Sequence, residues 1–462
     1  MKIVVLNGSP KGDINVSVTM QYVRFIQKSF PQHELKIVNI AQQAKQLENS
    51  TEAFQKIIDE IAVADGVLWA FPLYVLLVHS QYKRFIELIF ERNAEAAFKA
   101  KPAAILTTSI HFYDHTAINY IQGICDDLDM NYYGSYSAEM RDLHKENERE
   151  KLSCFSQAFY AAIARKAPAS KVYLPLSNQS FEYIPKTAAA PLDTHNRKIV
   201  IVTDAQQDDN NLNQMTDRIA QHFTGQAEII NLHEVDIKGG CLGCIRCAYD
   251  NTCAYSGKDG FIDFYNDKLK TADILFFAGK IHDRYLSSLW KTVFDRAFFN
   301  THIPALAGKQ IAFLISGPLN QLPNVRQILE AYIEIQQANL VGIVTDEEPD
   351  SEKIDACLKE LANRSIDYAN THYIKPATFL GVGGRKIFRD EIWGHLRFPF
   401  AADHHYYKNN GLYDFPQQDY STRMLNLLFG WLIKIPALRK KLYSRMLIDK
   451  MVEPYQKLLD KL

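Results

Sequence analysis

The chain has 462 residues, 47% hydrophobic and 23% charged, with a formal charge of −1. That balance describes a soluble globular protein of two to three domains and excludes the basic footprint of a nucleic-acid binder. The start MKIVVLNGSP has no basic n-region ahead of a long apolar stretch, and no uncharged run approaches the ~18 residues of a membrane span, so the expected location is the cytoplasm.

In chain order, the apolar β-branched run at Ile3–Leu6 reads as a buried strand, and STEAFQKIIDEIAVA as a helix. The runs GVLWAF and AAILTTS read as further strands of a parallel sheet covered on both faces. The pattern then repeats. Lys2–Leu6 corresponds to Lys198–Val202, and Ala64 to Ala272 at an offset of 208 that persists through Ser80/Ser288, Lys83/Lys291, Phe90/Phe298, Lys101/Lys309 and Leu106/Leu314. Each half alternates four strands with helices, which predicts two tandem doubly wound α/β domains of flavodoxin-like type, over residues 1–164 and 198–372. Residues 165–197 carry four prolines with little helical periodicity and read as a linker.

The halves differ where chemistry is expected. Ligands of open α/β sheets sit at the carboxyl ends of strands, and a helix N-terminus there attracts phosphate. The first half offers Ser9, Lys11, Ser17 and Thr19 after its first strand, groups that suit a monophosphate; Ser17 also suits a plain helix N-cap. The second half puts Asp204, Asp208 and Asp209 there in a shorter loop, where carboxylates repel phosphate. In return it carries sixteen extra residues after its second strand, including Cys241, Cys244, Cys247 and Cys253. The spacing C-x2-C-x2-C-x5-C is nearer a ferredoxin-type run than two separated zinc knuckles, so a [4Fe–4S] cluster is expected, with structural zinc or packed thiols as alternatives.

Residues 373–462 have no counterpart in the repeat. GVGG and the aromatic stretch after it read as a loop-rich flap over a cofactor site or as a plain extension covering a domain; a zinc site from His395, Asp403, His404 and His405 suffers because adjacent histidines point poorly at one ion. From Thr422 onward nine Lys and Arg stand against three Asp and Glu among leucines and Trp431, with Pro436 dividing the stretch. Such helices dock on protein or lie on an anionic membrane surface.

The GSPK loop, the WAFPLY segment and the TTSIHFYDHT loop together resemble the NADPH-dependent FMN reductase superfamily, and the cysteine run its iron–sulfur flavoprotein branch, here as a tandem duplication. The resemblance implies that Ser9, Lys11, Ser17 and Thr19 bind the FMN phosphate. It implies that Pro72, Leu73 and Tyr74 cradle the isoalloxazine and that Thr108, Ser109, His111 and Tyr113 flank its other side. His111 and Tyr113 are then the catalytic candidates.

The expected function is electron transfer between NAD(P)H or a small redox protein, FMN and the cluster. The alternatives are an FMN-only quinone or nitro reductase with structural cysteines, and a zinc-stiffened interaction protein. The halves are expected to pack as an intrachain pseudo-dimer with the cysteine loop toward the flavin edge; a homodimer of whole chains stays open.

Overall fold

A computed structural model describes residues 1–11, 13–177, 181–186, 191–223, 227–443 and 445–462, except the side chains of 445–448. Strands β1 (Lys2–Asn7), β2 (Glu34–Asn39), β3 (Gly66–Pro72), β4 (Pro102–Ser109) and β5 (Asn131–Glu139) form a parallel sheet in the order β2-β1-β3-β4-β5. Helices α1 (Val18–Ser29), α2 (Ala44–Asn49), α3 (Thr51–Ala62), α4 (Ser80–Glu91), α5 (Asp114–Asp127) and α6 (Glu146–Arg165) connect and cover it. Its central strands are buried on both faces, as continuous apolar runs require.

The second half repeats this arrangement. Strands β6 (Ile199–Thr203), β7 (Ala227–Asn231), β8 (Ile274–Lys280), β9 (Gln310–Ser316) and β10 (Asn339–Thr345) run parallel in the order β10-β9-β8-β6-β7, the same order read from the other edge. The helices are α7 (Asn210–Gln221), the short α8 (Phe261–Phe264), α9 (Ser288–Arg296), α10 (Pro323–Ile335) and α11 (Ser351–Thr371). Equivalent first and third strands keep the same register, Leu6 opposite Trp69 and Val202 opposite Phe277. Each half has five strands where the sequence pattern gives four. β5, NYYGSYSAE, is an edge strand without a continuous apolar run, whereas β10, NLVGIVT, has such a run and lies beyond the four-strand count.

The connection after α6 is pinned rather than loose. The amides of Val172 and Tyr173 both donate to Asp126 Oδ2 at 2.9 Å, and the Tyr183 hydroxyl donates to Asp355 Oδ1 at 2.5 Å. The chain divides into two compact units, Met1–His404 and His405–Leu462. The first therefore includes α12 (Phe379–Trp393), and α13 (Ala401–Asn409) begins within it. The GVGG stretch is helix, not a flap of loops. Its glycines allow close approach: a Cβ on Gly381 would lie 2.9 Å from Glu334 Cβ, and one on Gly384 2.7 Å from the Phe112 ring.

The second unit consists of the end of α13 followed by α14 (Tyr420–Leu432), α15 (Pro436–Leu442) and α16 (Arg445–Leu459). Pro436 takes the first position of α15, where its missing N–H costs nothing.

Candidate active site

The first loop is folded back on the sheet by its own side chains. Asn7 accepts the Ser9 amide on Oδ1 at 3.0 Å and donates from Nδ2 to Asn39 at 2.9 Å. Ser17 caps α1, accepting the Met20 amide at 3.4 Å, and Thr19 Oγ1 lies 2.6 Å from Thr108 Oγ1. Ser9, Ser17 and Thr19 are buried, and the Lys11 ammonium reaches over to donate to Val16 O at 3.2 Å. Three hydroxyls and one cation thus gather at the start of a twelve-residue helix, a donor set that fits a phosphate monoester. Ser17 serves the helix as a cap as well.

Two more loops meet this one. After β3 the Leu73 amide donates to Thr108 O at 3.0 Å, and Tyr74 and Leu77 close an antiparallel bridge that forces Val75 and Leu76 to φ values of 31° and 66°. Positive φ is sterically costly for such residues, and backbone strain of this kind clusters at functional loops. After β4, Ser109 Oγ accepts the His111 amide at 2.8 Å, and His111 and Tyr113 also take positive φ. His111 Nδ1 lies 2.9 Å from Asp114 Oδ2, to which Ser137 Oγ donates at 2.5 Å. Burial works against ionisation of Asp114, but the hydrogen bonds from Ser137 and His111 hold its carboxyl below the usual range. Tyr113 is committed elsewhere: its hydroxyl donates to Leu380 O of α12 at 2.5 Å, and Phe112 packs edge-on against Phe388 of the same helix at 4.5 Å. The extension therefore covers the Phe112–Tyr113 turn.

The cysteine loop of the second half rests on the first. A Cβ built on Gly243, at φ 61°, would fall 2.2 Å from the Tyr74 hydroxyl and 3.2 Å from Pro10, so the loop needs glycine there on both counts. Burial, with Cys241 and Asp295 close by, raises the Tyr74 hydroxyl well above the ordinary tyrosine range. His79, whose ring centroid lies 4.6 Å from that of Tyr74, is fully buried; burial and then Lys291 push it down to about 3, so it stays neutral. Burial also pushes the Cys241 and Cys247 thiols up to about 12. Cys244 is exposed, Cys253 half-buried, and all four cysteines are free. Among the described residues no three His, Cys, Asp or Glu are gathered closely enough to hold a metal ion, which applies to this loop and to His395, Asp403, His404 and His405 alike. Asp403 instead lies 2.6 Å from His302 Nδ1 and accepts the Thr301 hydroxyl at 2.5 Å.

Helices α4 and α9 also meet across the halves, and they exchange equivalent bonds. Ser80 donates its amide to Asp295 Oδ2 at 2.8 Å, while Ser288 donates its amide to Glu87 Oε1 at 2.6 Å. Residues 80 and 288, and 87 and 295, are the same positions of the repeat, which is the pattern of an isologous interface. The Ser and Lys matches were visible in the sequence; their role was not, because buried polar residues on helices read there as solvent-facing.

At the carboxyl ends of β6, β8, β9 and β10 the second half has a cleft of about 570 Å³ lined by Asp208, Asp209, Asp346 and Glu347 with Lys280. Lys280 pairs with Asp209, and Asp346 accepts from Ser316, Asn211 and the Gly317 amide. Asp204, where the first half has Gly8, accepts from Ser287, and burial raises it to about 6. This donor set does not suit a phosphate.

Residues 1–141 match the family model of NADPH-dependent FMN reductases. No curated protein matches the chain. Similar solved structures include the apo form of the NADH:FMN oxidoreductase EMOB, at 15% identity and a TM-score of 0.30 over 35% of this chain and 89% of that one. The flavoenzyme NAD(P)H:(acceptor) oxidoreductase FerB from Paracoccus denitrificans is 19% identical, with a TM-score of 0.30 over 36% and 98%. The FMN-dependent NADH-azoreductase from Bacillus anthracis str. Ames Ancestor, in complex with FMN, is 14% identical, with a TM-score of 0.28 over 36% and 99%. Over its first 141 residues the chain is similar to NADPH-dependent FMN reductases, and both of its halves have the flavodoxin-like fold.

Proposed function

We propose that the chain is a flavin-dependent oxidoreductase that binds FMN in its first half and takes electrons from NAD(P)H. The observation that carries this reading is the buried hydroxyl and amide loop at the carboxyl end of β1, within the stretch matching FMN reductases. Ser9, Lys11 and Ser17 with the first amides of α1 would hold the phosphate, and Thr19 with Thr108 would close the floor behind it. Pro72, Leu73 and Tyr74 would wall one side of the ring, with Ser109 and His111 on the other. FMN, when bound, supplies acceptance of an electron pair and its release one electron at a time. His111, oriented by Asp114, is the group that can hold a proton at Nδ1 or Nε2 beside the ring; Tyr113, bonded to Leu380, positions the loop.

For the cysteine loop, the spacing supports a [4Fe–4S] cluster held by Cys241, Cys244, Cys247 and Cys253, and with it descent of the two halves from one duplicated domain of the iron–sulfur flavoprotein kind. The thiols as placed do not form a ligand set, and that observation favours a second reading, an FMN-only quinone or nitro reductase whose cysteines are structural. Anaerobic purification with an absorption spectrum and iron and zinc counts separates these readings. Flavin with about four irons supports the first, and flavin without iron the second. Zinc without flavin sinks both in favour of an interaction protein.

A further inference from the structure

We infer that the C-terminal helices α14–α16 bind the surface of an anionic lipid bilayer. No residue of α14 or α15 is buried. In α14 the apolar positions i, i+1, i+4 and i+7 run from Met424 to Trp431, and in α16 the same spacing runs from Met451 to Leu458, so each helix carries one apolar stripe. The stripes face water: Met424 is 72% exposed, Trp431 67%, Met451 66% and Tyr455 67%. Helices of about a dozen residues are marginal in water without a surface to cover their apolar side.

Charge identifies the surface. From Thr422 onward nine Lys and Arg stand against three Asp and Glu, in a chain whose formal charge is −1, so the rest of the protein taken together is acidic while this segment is basic. Arg439, Lys440 and Lys441 fall in a single turn of α15. Six of the nine cations are Lys, the residue that protein interfaces deplete, whereas basic amphipathic helices at bilayers use it freely. Trp431, Tyr443 and Tyr455 supply the amphipathic aromatics that settle at headgroup depth. Among the described residues no helix is long and apolar enough to cross a membrane, so the segment lies on the bilayer rather than through it.

The test is co-sedimentation of the full-length protein with phosphatidylglycerol vesicles and with phosphatidylcholine vesicles, at low and high salt. The expected result is at least about tenfold more binding to the anionic vesicles, since a basic segment is attracted to a negative surface within a Debye length, with release at high salt. Arg439→Glu with Lys440→Glu should abolish binding, and so should Leu428→Ser with Tyr455→Ser, while the thermal melt of the main unit is unchanged. Trp431 emission should shift to the blue on binding, a shift missing in Trp431→Phe. Absence of binding to anionic vesicles at low salt overturns the inference, as does equal binding by the charge-reversed protein. A dimer by light scattering that Leu428→Ser disperses, without vesicle binding, would assign the stripes to a second copy of the chain instead.

Discussion

Lys83 of the first half and Asp283 of the second form a 2.8 Å ion pair sealed from solvent, Lys83 at 0% exposure and the Asp283 side chain at 4%. Lys83 also donates to Glu87 at 2.9 Å, and the Tyr120 hydroxyl completes Asp283 at 3.1 Å. Burial opposes the charge on Lys83, but two carboxylates hold its ammonium above the usual range. The equivalent Lys291 pairs with Asp295 and donates to the carbonyl of Tyr74, the place of Asp283 being taken by Val75, and burial lowers it. The interface is thus two-fold in its serine amide-to-carboxylate bonds and asymmetric in its charge.

Removing Lys83 should therefore cost far more than a surface charge would. Lys83→Met leaves Glu87 and Asp283 buried without their cation and is expected to destabilise by about 3–5 kcal/mol. Urea denaturation followed by tryptophan emission would measure it. A change below about 1 kcal/mol would mean that the halves are not held by this contact.

FMN affinity should depend on the first loop and not on its counterpart. Hydrogen bonds to charged groups are worth roughly 1.5–3 kcal/mol, so Ser9→Ala and Lys11→Ala should each weaken FMN binding by about 10- to 100-fold. Lys280→Ala, in the acidic cleft of the second half, should leave it unchanged. Titration by flavin fluorescence distinguishes the two loops, and equal losses from both would refute the assignment.

Gly243→Ala should unseat the cysteine loop from Tyr74. The added methyl has no room beside the tyrosine oxygen, and φ 61° disfavours any side chain. The expected outcome is faster alkylation of Cys241, which is half-buried under that contact, with FMN still bound. Mass spectrometry after brief thiol labelling reads this directly; unchanged labelling would show that the loop does not rely on this close approach.

Asp204 gives a pH-dependent prediction. Folding raises its carboxyl from an ordinary 3.8 to about 6 through burial, against the hydrogen bond from Ser287. Its contribution to stability is complete below pH 4 and is lost as pH climbs through 6, because the ionised form is better solvated in the unfolded chain. Asp204→Asn should then raise the melting temperature at pH 8, by an amount equivalent to about 1–3 kcal/mol, and give no gain at pH 4. A gain that is the same at both pH values would contradict this origin.

Much of this architecture was legible from residue pattern. Continuous apolar runs such as GVLWAF become central strands because both faces are covered, and the shared offset of 208 marks equivalent positions in two sheets of one order. In the first loop the helix start was legible, since a serine ahead of an amphipathic run suits an N-cap, and Ser17 accepts the Met20 amide there. β5 was not, since edge strands need no apolar run, and the helix at GVGG was hidden because glycine's low helix propensity gives way to packing against Glu334 and Phe112. The placement of His79, Tyr74 and Gly243 at one junction depends on contacts about 170 residues apart, which no local pattern encodes.

The reciprocal Ser80 and Ser288 bonds have a consequence for behaviour on dilution. In a dimer of separate chains such a junction dissociates as concentration falls, whereas one polypeptide keeps its two halves at an effective concentration set by the connecting segment alone. Tyr74 and the cysteine loop consequently meet at any protein concentration. The two sides of the junction are also free to differ, since a change in one half is not copied into the other, and the cation beside Val75 and the cation beside Asp283 already differ in this way.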